Sequence, residues 1–246
     1  MATEQTMFRG ASVDISIVLA TYNESQNLPV LMGKLELIGE LRKQIIFVDD
    51  GSTDKTRDMI LKYSNCNPVT KYIFNEGKQS TLKAQAQGIL VSDSEFVVVM
   101  DSDLQHPPEL IRAIYEKLQN GYDIVTASRF TEKGSTGNRV PLRGLISRVA
   151  SFITKLLLRT ARTTSDPMSG YFGFRRELFK PINNEWRGYK MHLLVRAENP
   201  RARVCDIPYV FRERGNGNSN VVNGISFIRL FLTELIHVKK VELMNS

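Results

Sequence analysis

Short apolar runs alternate with amphipathic segments throughout the first half of the chain. Apolar runs bounded by polar turn residues predict buried strands, here at residues 13–20, 44–48, 69–74, 95–100 and 123–127. Segments with helical periodicity separate them, at 28–41, 54–63, 80–91 and 108–119. Strands that alternate with helices usually pair in parallel and are covered on both faces. The pattern therefore predicts an α/β fold with a mostly parallel sheet.

Polar side chains gather directly after three of the predicted strands. They are Tyr22 and Glu24 after the first strand, Asp49 and Asp50 after the second, and Asp101 and Asp103 after a later one. Ligands of parallel sheets bind at the carboxyl ends of the strands. We therefore expect the functional site at that edge of the sheet.

The second half has a different pattern. Residues 131–141 contain Gly, Ser and Pro and predict a mobile loop, and a long amphipathic helix follows at 141–162. Basic residues lie beside its apolar face, which is formed by Leu142, Leu145, Ile146, Val149, Phe152, Ile153 and Leu156. A second amphipathic segment spans 222–241. Such a helix can pack on a sheet or lie in a membrane interface. We favour the interface, because anionic headgroups attract flanking Lys and Arg.

Composition narrows the class of protein. The 246 residues, of which 42% are hydrophobic and 24% charged, are enough for one large globular domain. The only two cysteines, Cys66 and Cys205, exclude a disulfide scaffold and a Cys-rich zinc module. The low cysteine count also makes a reducing, cytosolic compartment the default expectation. We expect neither a signal peptide nor a membrane-spanning helix.

The net charge of +7 is distributed unevenly. Residues 1–125 contain 12 basic and 17 acidic residues, a balance of −5, whereas residues 126–246 contain 21 and 9, a balance of +12. A basic adaptor that binds nucleic acid or anionic membranes is one interpretation of this charge. The alternation of aromatic and basic residues that is typical of RNA-binding modules is missing, so we do not expect a nucleic-acid partner.

The run Asp101-Ser102-Asp103-Leu104-Gln105 is the strongest chemical signal. Two carboxylates two residues apart, at a strand end, can converge on Mg²⁺ or Mn²⁺, and Gln105 can add a neutral oxygen ligand. Alternatively, the aspartates only cap a helix that begins near Pro107. Their position after a buried strand favours the metal site.

Asp49 and Asp50 open a second polar cluster, Asp-Asp-Gly-Ser-Thr-Asp. A turn at Gly51 and a helix cap at Ser52 or Thr53 explain part of it without any ligand. They do not explain two consecutive carboxylates at the end of a strand. Together with Tyr22 and Glu24, these carboxylates predict a nucleoside pocket.

Five segments, taken together, carry a family resemblance. They are VLATYNESQNLP, IIFVDDGSTDKT, VVVMDSDLQHPPEL, IVTASRF and DPMSGYFGFRREL, in that order between residues 15 and 219. The chain resembles the family 2 glycosyltransferases, and among them the group of dolichol-phosphate mannose synthases and other polyprenyl-phosphate glycosyltransferases. The resemblance implies a GT-A fold, which is a Rossmann-like, mostly parallel sheet with flanking helices. The catalytic domain would span 1–220, and a C-terminal amphipathic helix would span 221–246.

The resemblance also implies roles for individual residues. The donor would contact Ala20, Tyr22, Glu24, Val48, Asp50, Lys78, Asp101 and Ser102. The metal ligands would be Asp101, Asp103 and Gln105. The lipid phosphate would contact Arg129, Arg143, Ser147 and Arg214. Asp103 and Arg129 would be the catalytic residues.

The implied activity is inverting, metal-dependent transfer of a hexose, with mannose from GDP-mannose as the expected sugar, to dolichyl or another polyprenyl phosphate. The implied partners are a membrane surface and a small membrane-anchoring subunit, with the protein peripheral on the cytoplasmic face. Three positions depart from the family pattern: Ala20 stands where many relatives have Pro, Leu194 replaces a common acidic residue, and Asn220 replaces a lysine. Transfer of glucose or another sugar from a UDP-sugar, and donor binding without turnover, therefore stay open as alternatives.

Overall fold

The structure, a computed structural model, describes residues 13–137, 141–181, 190–215 and 224–245, without the side chains of 141–143 and 224–227. The strands are β1 (Ile15–Thr21), β2 (Lys43–Asp49), β3 (Lys71–Phe74), β4 (Phe96–Asp101), β5 (Ile124–Ser128), β6 (Phe172–Arg175) and β7 (Val204–Pro208). The helices are α1 (Leu28–Glu36), α2 (Thr56–Cys66), α3 (Thr81–Leu90), α4 (Leu110–Gln119), α5 (Pro141–Leu157), α6 (Met191–Glu198) and α7 (Gly224–Met244).

The strands form one sheet in the order β3-β2-β1-β4-β6-β5-β7. Every pairing is parallel except those that β6 makes with β4 and β5. The predicted mostly parallel sheet is confirmed. The apolar pattern did not predict β6, β7 or α6, which are short elements of the second half.

Alternation along the strands divides the core into two apolar layers. Ile17 and Leu19 of β1 face the layer that contains α1, α2 and α4, whereas Val18 faces the layer that contains α3, α6 and α7. Helices thus cover both faces of the sheet, and side chains that contact a ligand can emerge only at its edges and ends. The polar residues after β1, β2 and β4 lie at the carboxyl ends of neighbouring strands, where they can form a single site.

Helix α5 is shorter than the predicted 141–162, because the chain continues as a 3₁₀ turn at Thr160–Thr163. The carboxylate of Glu242 in α7 accepts hydrogen bonds from the backbone N–H and the hydroxyl of Thr160, at 2.7 and 2.6 Å. This contact fixes the start of the turn. The predicted C-terminal amphipathic segment corresponds to α7, which begins at Gly224 in the structure.

The two long helices expose much of their apolar surface. On α5 the buried side chains are the small or polar Ala150, Ser151 and Thr154 together with Leu158 just beyond its end, whereas Phe152 is 70% and Leu156 63% exposed. On α7, Leu235, Val238 and Val241 pack into the core, and Ile228, Leu232 and Ile236 are exposed. Among the described helices, none combines the length and the apolarity that crossing a bilayer requires.

Candidate active site

Residues at the ends of β1 and β2 form the first part of the site. Glu24 is 6% exposed, and its backbone N–H donates to the Thr56 hydroxyl at 2.9 Å. Asp50, also 6% exposed, accepts the Gln79 backbone N–H in one bifurcated hydrogen bond, with Oδ1 at 3.1 Å and Oδ2 at 3.0 Å. Asp50 therefore ties the loop after β3 to the end of β2, as a carboxylate at the base of a pocket would.

The two consecutive aspartates at the end of β2 have different environments. Asp49 is fully buried, forms an ion pair with Arg57 at 2.7 Å and accepts the Ser52 backbone N–H at 3.0 Å. These contacts fix the turn after β2. Asp49 thus stabilises the local structure, and only Asp50 faces the loop that closes the pocket.

The loop around Lys78 lies against the end of β1. The Lys78 ammonium is 4.2 Å from the centroid of the Tyr22 ring, a cation–π contact. Gly51 has a φ of +88°, and a Cβ there would lie 2.9 Å from the Gly77 Cα. Glycine is therefore required at position 51 by both conformation and space. The approach of the two turns places Tyr22, Asp50 and Lys78 together, as predicted for a donor site.

The carboxylates after β4 differ in exposure. Asp103 is 4% exposed and accepts the Gln105 backbone N–H at 3.0 Å, whereas the side chain of Asp101 is 44% exposed. Burial, followed by the negative charge of Asp101, raises the pKa of Asp103. Two oxygen donors that repel one another fit a hard divalent cation, which would relieve the repulsion. Among the described His, Cys, Asp and Glu side chains no group of three is positioned for a metal, so the remaining ligands would have to come from elsewhere.

Two residues predicted to contact the donor also link neighbouring strands. The Ser102 hydroxyl, 2% exposed, donates to the Ala20 carbonyl at 3.2 Å and so links the ends of β4 and β1. The side chain of Val48 is fully buried, and its carbonyl accepts the Thr21 hydroxyl at 3.3 Å. The Val48 side chain and the Ser102 hydroxyl are thus enclosed by neighbouring strands, and the donor contacts predicted for these two residues stay predictions.

Gln105 is oriented towards the segment 209–215. Its side-chain amide donates to the Arg212 carbonyl at 3.4 Å, and the Arg212 backbone N–H donates to the Gln105 carbonyl at 3.1 Å. The same segment pairs on its other side with Ser135, within the predicted mobile loop. Residues 131–137 and 209–215 thus form a connected layer over the end of β4.

Arg214 lies between two buried carboxylates of this site. It forms ion pairs with Asp103 at 2.7 Å and with Glu24 at 3.4 Å. Burial raises the pKa of Glu24 to about 7, although Asn27 and Arg214 oppose the shift. The predicted phosphate-binding arginine is therefore bound to the acidic residues. We call Glu24, Asp50, Asp101 and Asp103 the acidic side of the site.

Arg129 follows β5 and is 5% exposed. Its guanidinium makes two hydrogen bonds to Asp166, from Nε at 2.7 Å and from Nη2 at 2.8 Å. Burial opposes its charge, but the hydrogen bonds and charge of Asp166 prevail and raise the pKa of Arg129. We call Arg129, Asp166 and Lys190 the basic side of the site.

Motif reasoning missed three residues near the site. Asp166 pairs with Arg129, and the Lys190 ammonium donates to the Met168 carbonyl at 2.8 Å. Burial lowers the pKa of Lys190, and the charge of Glu234, followed by those of Asp101 and Asp166, acts against that shift. The imidazole Nδ1 of His106 accepts the Asp101 backbone N–H at 3.0 Å. His106 and Asp166 lie inside recognised motifs, but nothing in their spacing indicates these contacts.

Other predicted positions lie away from these contacts. Ser147 is half-buried on α5. The side chain of Arg143 and the whole of Asn220 lie outside the described residues. Leu194 is 2% exposed and packs in the apolar layer with Phe172, so its side chain belongs to the core.

Comparison with known proteins agrees with this geometry. Residues 16–182 match the model of the family described as "Glycosyl transferase family 2". The chain belongs to this family. It is 32% identical over 208 residues to a dolichol-phosphate mannosyltransferase of Pyrococcus furiosus, a match that covers 84% of this chain and 59% of that protein. It is 26% identical to a dolichol-phosphate mannosyltransferase of Saccharomyces cerevisiae, covering 85% of this chain and 82% of the relative.

Solved structures establish the fold. Glucosyl-3-phosphoglycerate synthase from Mycobacterium tuberculosis, in complex with Mn²⁺, UDP and glucosyl-3-phosphoglycerate, has a TM-score of 0.65 at 16% identity. The alignment covers 95% of this chain and 85% of that one. The same enzyme with Mg²⁺ and UDP has a TM-score of 0.66 at 16% identity, covering 92% and 79%. The family 2 chain is thus a glycosyltransferase with a GT-A fold, and it spans 59% of the length of its Pyrococcus relative.

Proposed function

We propose that this glycosyltransferase moves a hexose from a sugar nucleotide to a polyprenyl phosphate, with mannose, GDP-mannose and dolichyl phosphate as the expected sugar, donor and acceptor. One observation carries the proposal. Asp101 on the acidic side, which suits a nucleotide and a metal, and the buried Arg129, which suits a phosphate, both interact electrostatically with Lys190. Arg129 also lies near Phe211, in the segment that carries Arg214. The similarity to relatives named dolichol-phosphate mannosyltransferase supports the choice of acceptor.

The acidic side would hold the donor. Tyr22 and Lys78 would contact the nucleoside, while Glu24 and Asp50 would accept hydrogen bonds from ribose or base. Asp101 and Asp103, with Gln105 as a neutral oxygen ligand, would hold Mg²⁺ or Mn²⁺. When bound, the cation would neutralise the diphosphate that leaves the sugar.

The basic side would hold the acceptor. A polyprenyl monophosphate is already anionic at neutral pH, so no general base is needed to make its oxygen a nucleophile. Arg129 would bind and align that phosphate, with Arg143 and Ser147 of α5 as further predicted contacts, whereas Arg214 would reach it only by leaving Asp103 and Glu24. Attack from the face of the sugar opposite the nucleotide would invert the α-linked donor to a β-linked product.

The exposed apolar faces of α5 and α7 would meet the membrane that contains the acceptor. Leu145, Ile146, Val149, Phe152 and Leu156 of α5 are all at least 48% exposed, and Arg148 and Arg159 nearby are exposed cations. An amphipathic helix of this kind fits the interface of an anionic bilayer. The protein would then be peripheral on the cytoplasmic face, and a small membrane-anchoring subunit could bind the same helices.

A panel of sugar nucleotides tests the function. The protein is incubated with each radiolabelled donor, Mn²⁺ and one polyprenyl phosphate, and label is measured in the lipid extract. We expect transfer from GDP-mannose. Transfer from UDP-glucose alone would change the donor and keep the reaction class, whereas donor binding without any transfer would overturn the proposed function.

A further inference from the structure

We propose that Asp166 is a positioning residue, which orients the Arg129 guanidinium towards the acceptor phosphate. This inference rests on the proposed function, in which Arg129 binds that phosphate. Asp166 itself would not contact the substrate. Its contribution would be to fix the direction in which the remaining N–H groups of Arg129 point.

Asp166 holds both the backbone and the side chain of Arg129. Its Oδ2 accepts the Arg129 backbone N–H at 3.1 Å and Nε–H at 2.7 Å, and its Oδ1 accepts from Nη2 at 2.8 Å. A guanidinium has five N–H groups in one plane. Two of them are bound to Asp166, and Nη1 makes no hydrogen bond to any residue that the structure describes. One edge of the guanidinium is therefore fixed while another is left to a ligand.

Aromatic rings restrict the guanidinium further. The Arg129 Cζ lies 5.3 Å from the centroid of the Phe130 ring and 5.7 Å from that of Phe211. Asp166 is fully buried and Arg129 is 5% exposed, so solvent competes little for these contacts. Rotation of the guanidinium would break two charge-assisted hydrogen bonds in a site of low dielectric constant.

Asp166 cannot easily move together with a displaced Arg129, because the two residues before it, Thr164 and Ser165, are hydrogen-bonded to β7. Asp206 of β7 accepts hydrogen bonds from the Thr164 hydroxyl at 2.9 Å and from the backbone N–H and hydroxyl of Ser165. The Asp166 backbone N–H in turn donates to the Thr164 hydroxyl at 3.2 Å. A second, partly buried carboxylate thus anchors the residues that present Asp166.

Removing the charge of Asp166 distinguishes two ways in which Arg129 can bind a phosphate, by a fixed orientation or by electrostatic attraction alone. A carboxylate beside Arg129 weakens its long-range attraction for a phosphate, since the pair has no net charge. If attraction dominated, Asp166→Asn would strengthen phosphate binding. If orientation dominates, as we propose, the same substitution weakens it, although the site becomes more positive.

Geranyl phosphate, a water-soluble prenyl phosphate, tests this directly. Its affinity is measured by titration calorimetry on wild type, Asp166→Asn, Arg129→Ala and the double variant. We expect Asp166→Asn to weaken binding and to lower kcat with polyprenyl phosphate by about tenfold to a hundredfold. In the Arg129→Ala background the same substitution should change neither quantity. Unchanged or tighter binding in Asp166→Asn, or an equal effect in both backgrounds, would overturn the proposal.

Two further variants separate positioning from general stability. Asp123→Asn is the matched control, because Asp123 pairs with Arg175 at 3.3 Å before β5 begins, whereas Arg129 follows the end of that strand. It should leave geranyl phosphate affinity unchanged. If Asp166→Asn does not fold, Thr164→Val loosens Asp166 without removing its charge. It should then weaken binding in the same direction by a smaller factor, and an unchanged affinity would overturn the proposal.

Binding and turnover also separate this inference from the proposed function. A wild-type protein that binds geranyl phosphate but transfers no sugar would overturn the function. Weaker binding in Asp166→Asn would still support the positioning role. A wild-type protein that transfers sugar, with Asp166→Asn unchanged in both affinity and kcat, would keep the function and overturn the positioning role.

Discussion

Asp103 and Glu24, on the acidic side of the site, share the single guanidinium of Arg214, whereas Arg129, on the basic side, has the carboxylate of Asp166 to itself. The acidic side therefore keeps an excess of negative charge, and burial, together with the neighbouring carboxylates, raises the pKa values of Glu24 and Asp103. On the basic side the charges of Arg129 and Asp166 cancel, and several hydrogen bonds hold this pair in place. Under the proposed function, this difference means that one side would attract a cation and the other would orient an anion.

Loss of a carboxylate from the acidic side should have the largest effect. Asp103→Asn removes one of the two charges that would hold the divalent cation. We expect kcat to fall by more than about a hundredfold, since such a cation contributes several kcal/mol to stabilising the leaving group. Steady-state transfer with saturating donor measures it.

Asp93→Asn is the matched control for this prediction, because Asp93 pairs with Lys71 before β4 begins, away from the site. It should retain wild-type kcat. Full activity of Asp103→Asn would mean that the acidic side does not take part in the reaction.

Loss of apolar surface beside the basic side should have the next largest effect. Phe152→Ser combined with Leu156→Ser removes two exposed side chains of α5. Each such side chain contributes about 1.5–3 kcal/mol when fully buried, so we expect binding to vesicles of phosphatidylcholine and phosphatidylserine to weaken by about tenfold or more. Vesicle sedimentation measures the bound fraction.

The control removes similar surface elsewhere. Val30 in α1 and Leu37 just after it are 49% and 84% exposed, and both are changed to Ser. Vesicle binding should not change. An equal loss in both double variants would show that α5 has no special part in docking.

Removal of the Arg214 guanidinium from the acidic side should have a moderate effect, and it should strengthen the binding of the metal. Arg214→Gln leaves Asp103 and Glu24 without their shared partner. We expect Mn²⁺, titrated without donor, to bind about fivefold more tightly or better, because a competing positive charge is gone.

Arg212→Gln tests whether the loss of any arginine from the segment 209–215 changes Mn²⁺ affinity. Arg212 pairs with Glu109 at 3.3 Å instead of with the acidic side. Its loss should leave Mn²⁺ affinity unchanged. Weaker Mn²⁺ binding in Arg214→Gln would contradict the competition between guanidinium and cation.

Protonation of Glu24 should have the smallest effect, a change in the affinity for the donor with pH. Because its pKa is raised to about 7, the carboxyl is mostly protonated below that pH and ionised above it. The ionised form is the better acceptor for a ribose hydroxyl, so donor affinity should rise severalfold between pH 6 and pH 8 (approximate bounds around that pKa).

Glu24→Gln is the comparison, since an amide does not titrate in this range. Calorimetry with the intact sugar nucleotide is the appropriate measurement, because its diphosphate does not titrate near neutral pH. A pH dependence that persists in Glu24→Gln would assign the effect to another group.

Much of the sheet follows from local pattern. Strands β1, β2 and β4 are continuous apolar runs, and their order along the chain brings Glu24, Asp50 and Asp101 to one edge. The strand β7 is only partly buried and includes Asp206, so its sequence has no comparable signal. It becomes a strand because β5 offers it a partner.

Helices α4 and α5 show where pattern alone is insufficient. Both are amphipathic, and in α4 the apolar Ile111, Ile114 and Leu118 are buried as usual. In α5 the small and polar side chains are buried and the apolar ones exposed. The periodicity of apolar residues predicts that a helix has two different faces, but the neighbouring elements of the fold decide which of them is buried.

The contacts within the site were the least predictable part. Arg129 was assigned to a phosphate, yet its carboxylate partner Asp166 is 37 residues away in the chain. Arg214 and Glu24 are 190 residues apart. Such pairings depend on how loops after different strands meet, which composition and spacing do not specify.

The reversed strand β6 has a consequence for the order in which the protein can fold. Strands β3, β2, β1 and β4 pair only in parallel with one another and are complete once residue 101 has been synthesised. Strand β6 must insert between β4 and β5, and it begins only at residue 172. Since the early domains of a growing chain can fold first, the acidic side can assemble on the ribosome well before the basic side. The second half of the chain, beginning with β6, then pairs onto β4, which is the edge of the sheet already formed.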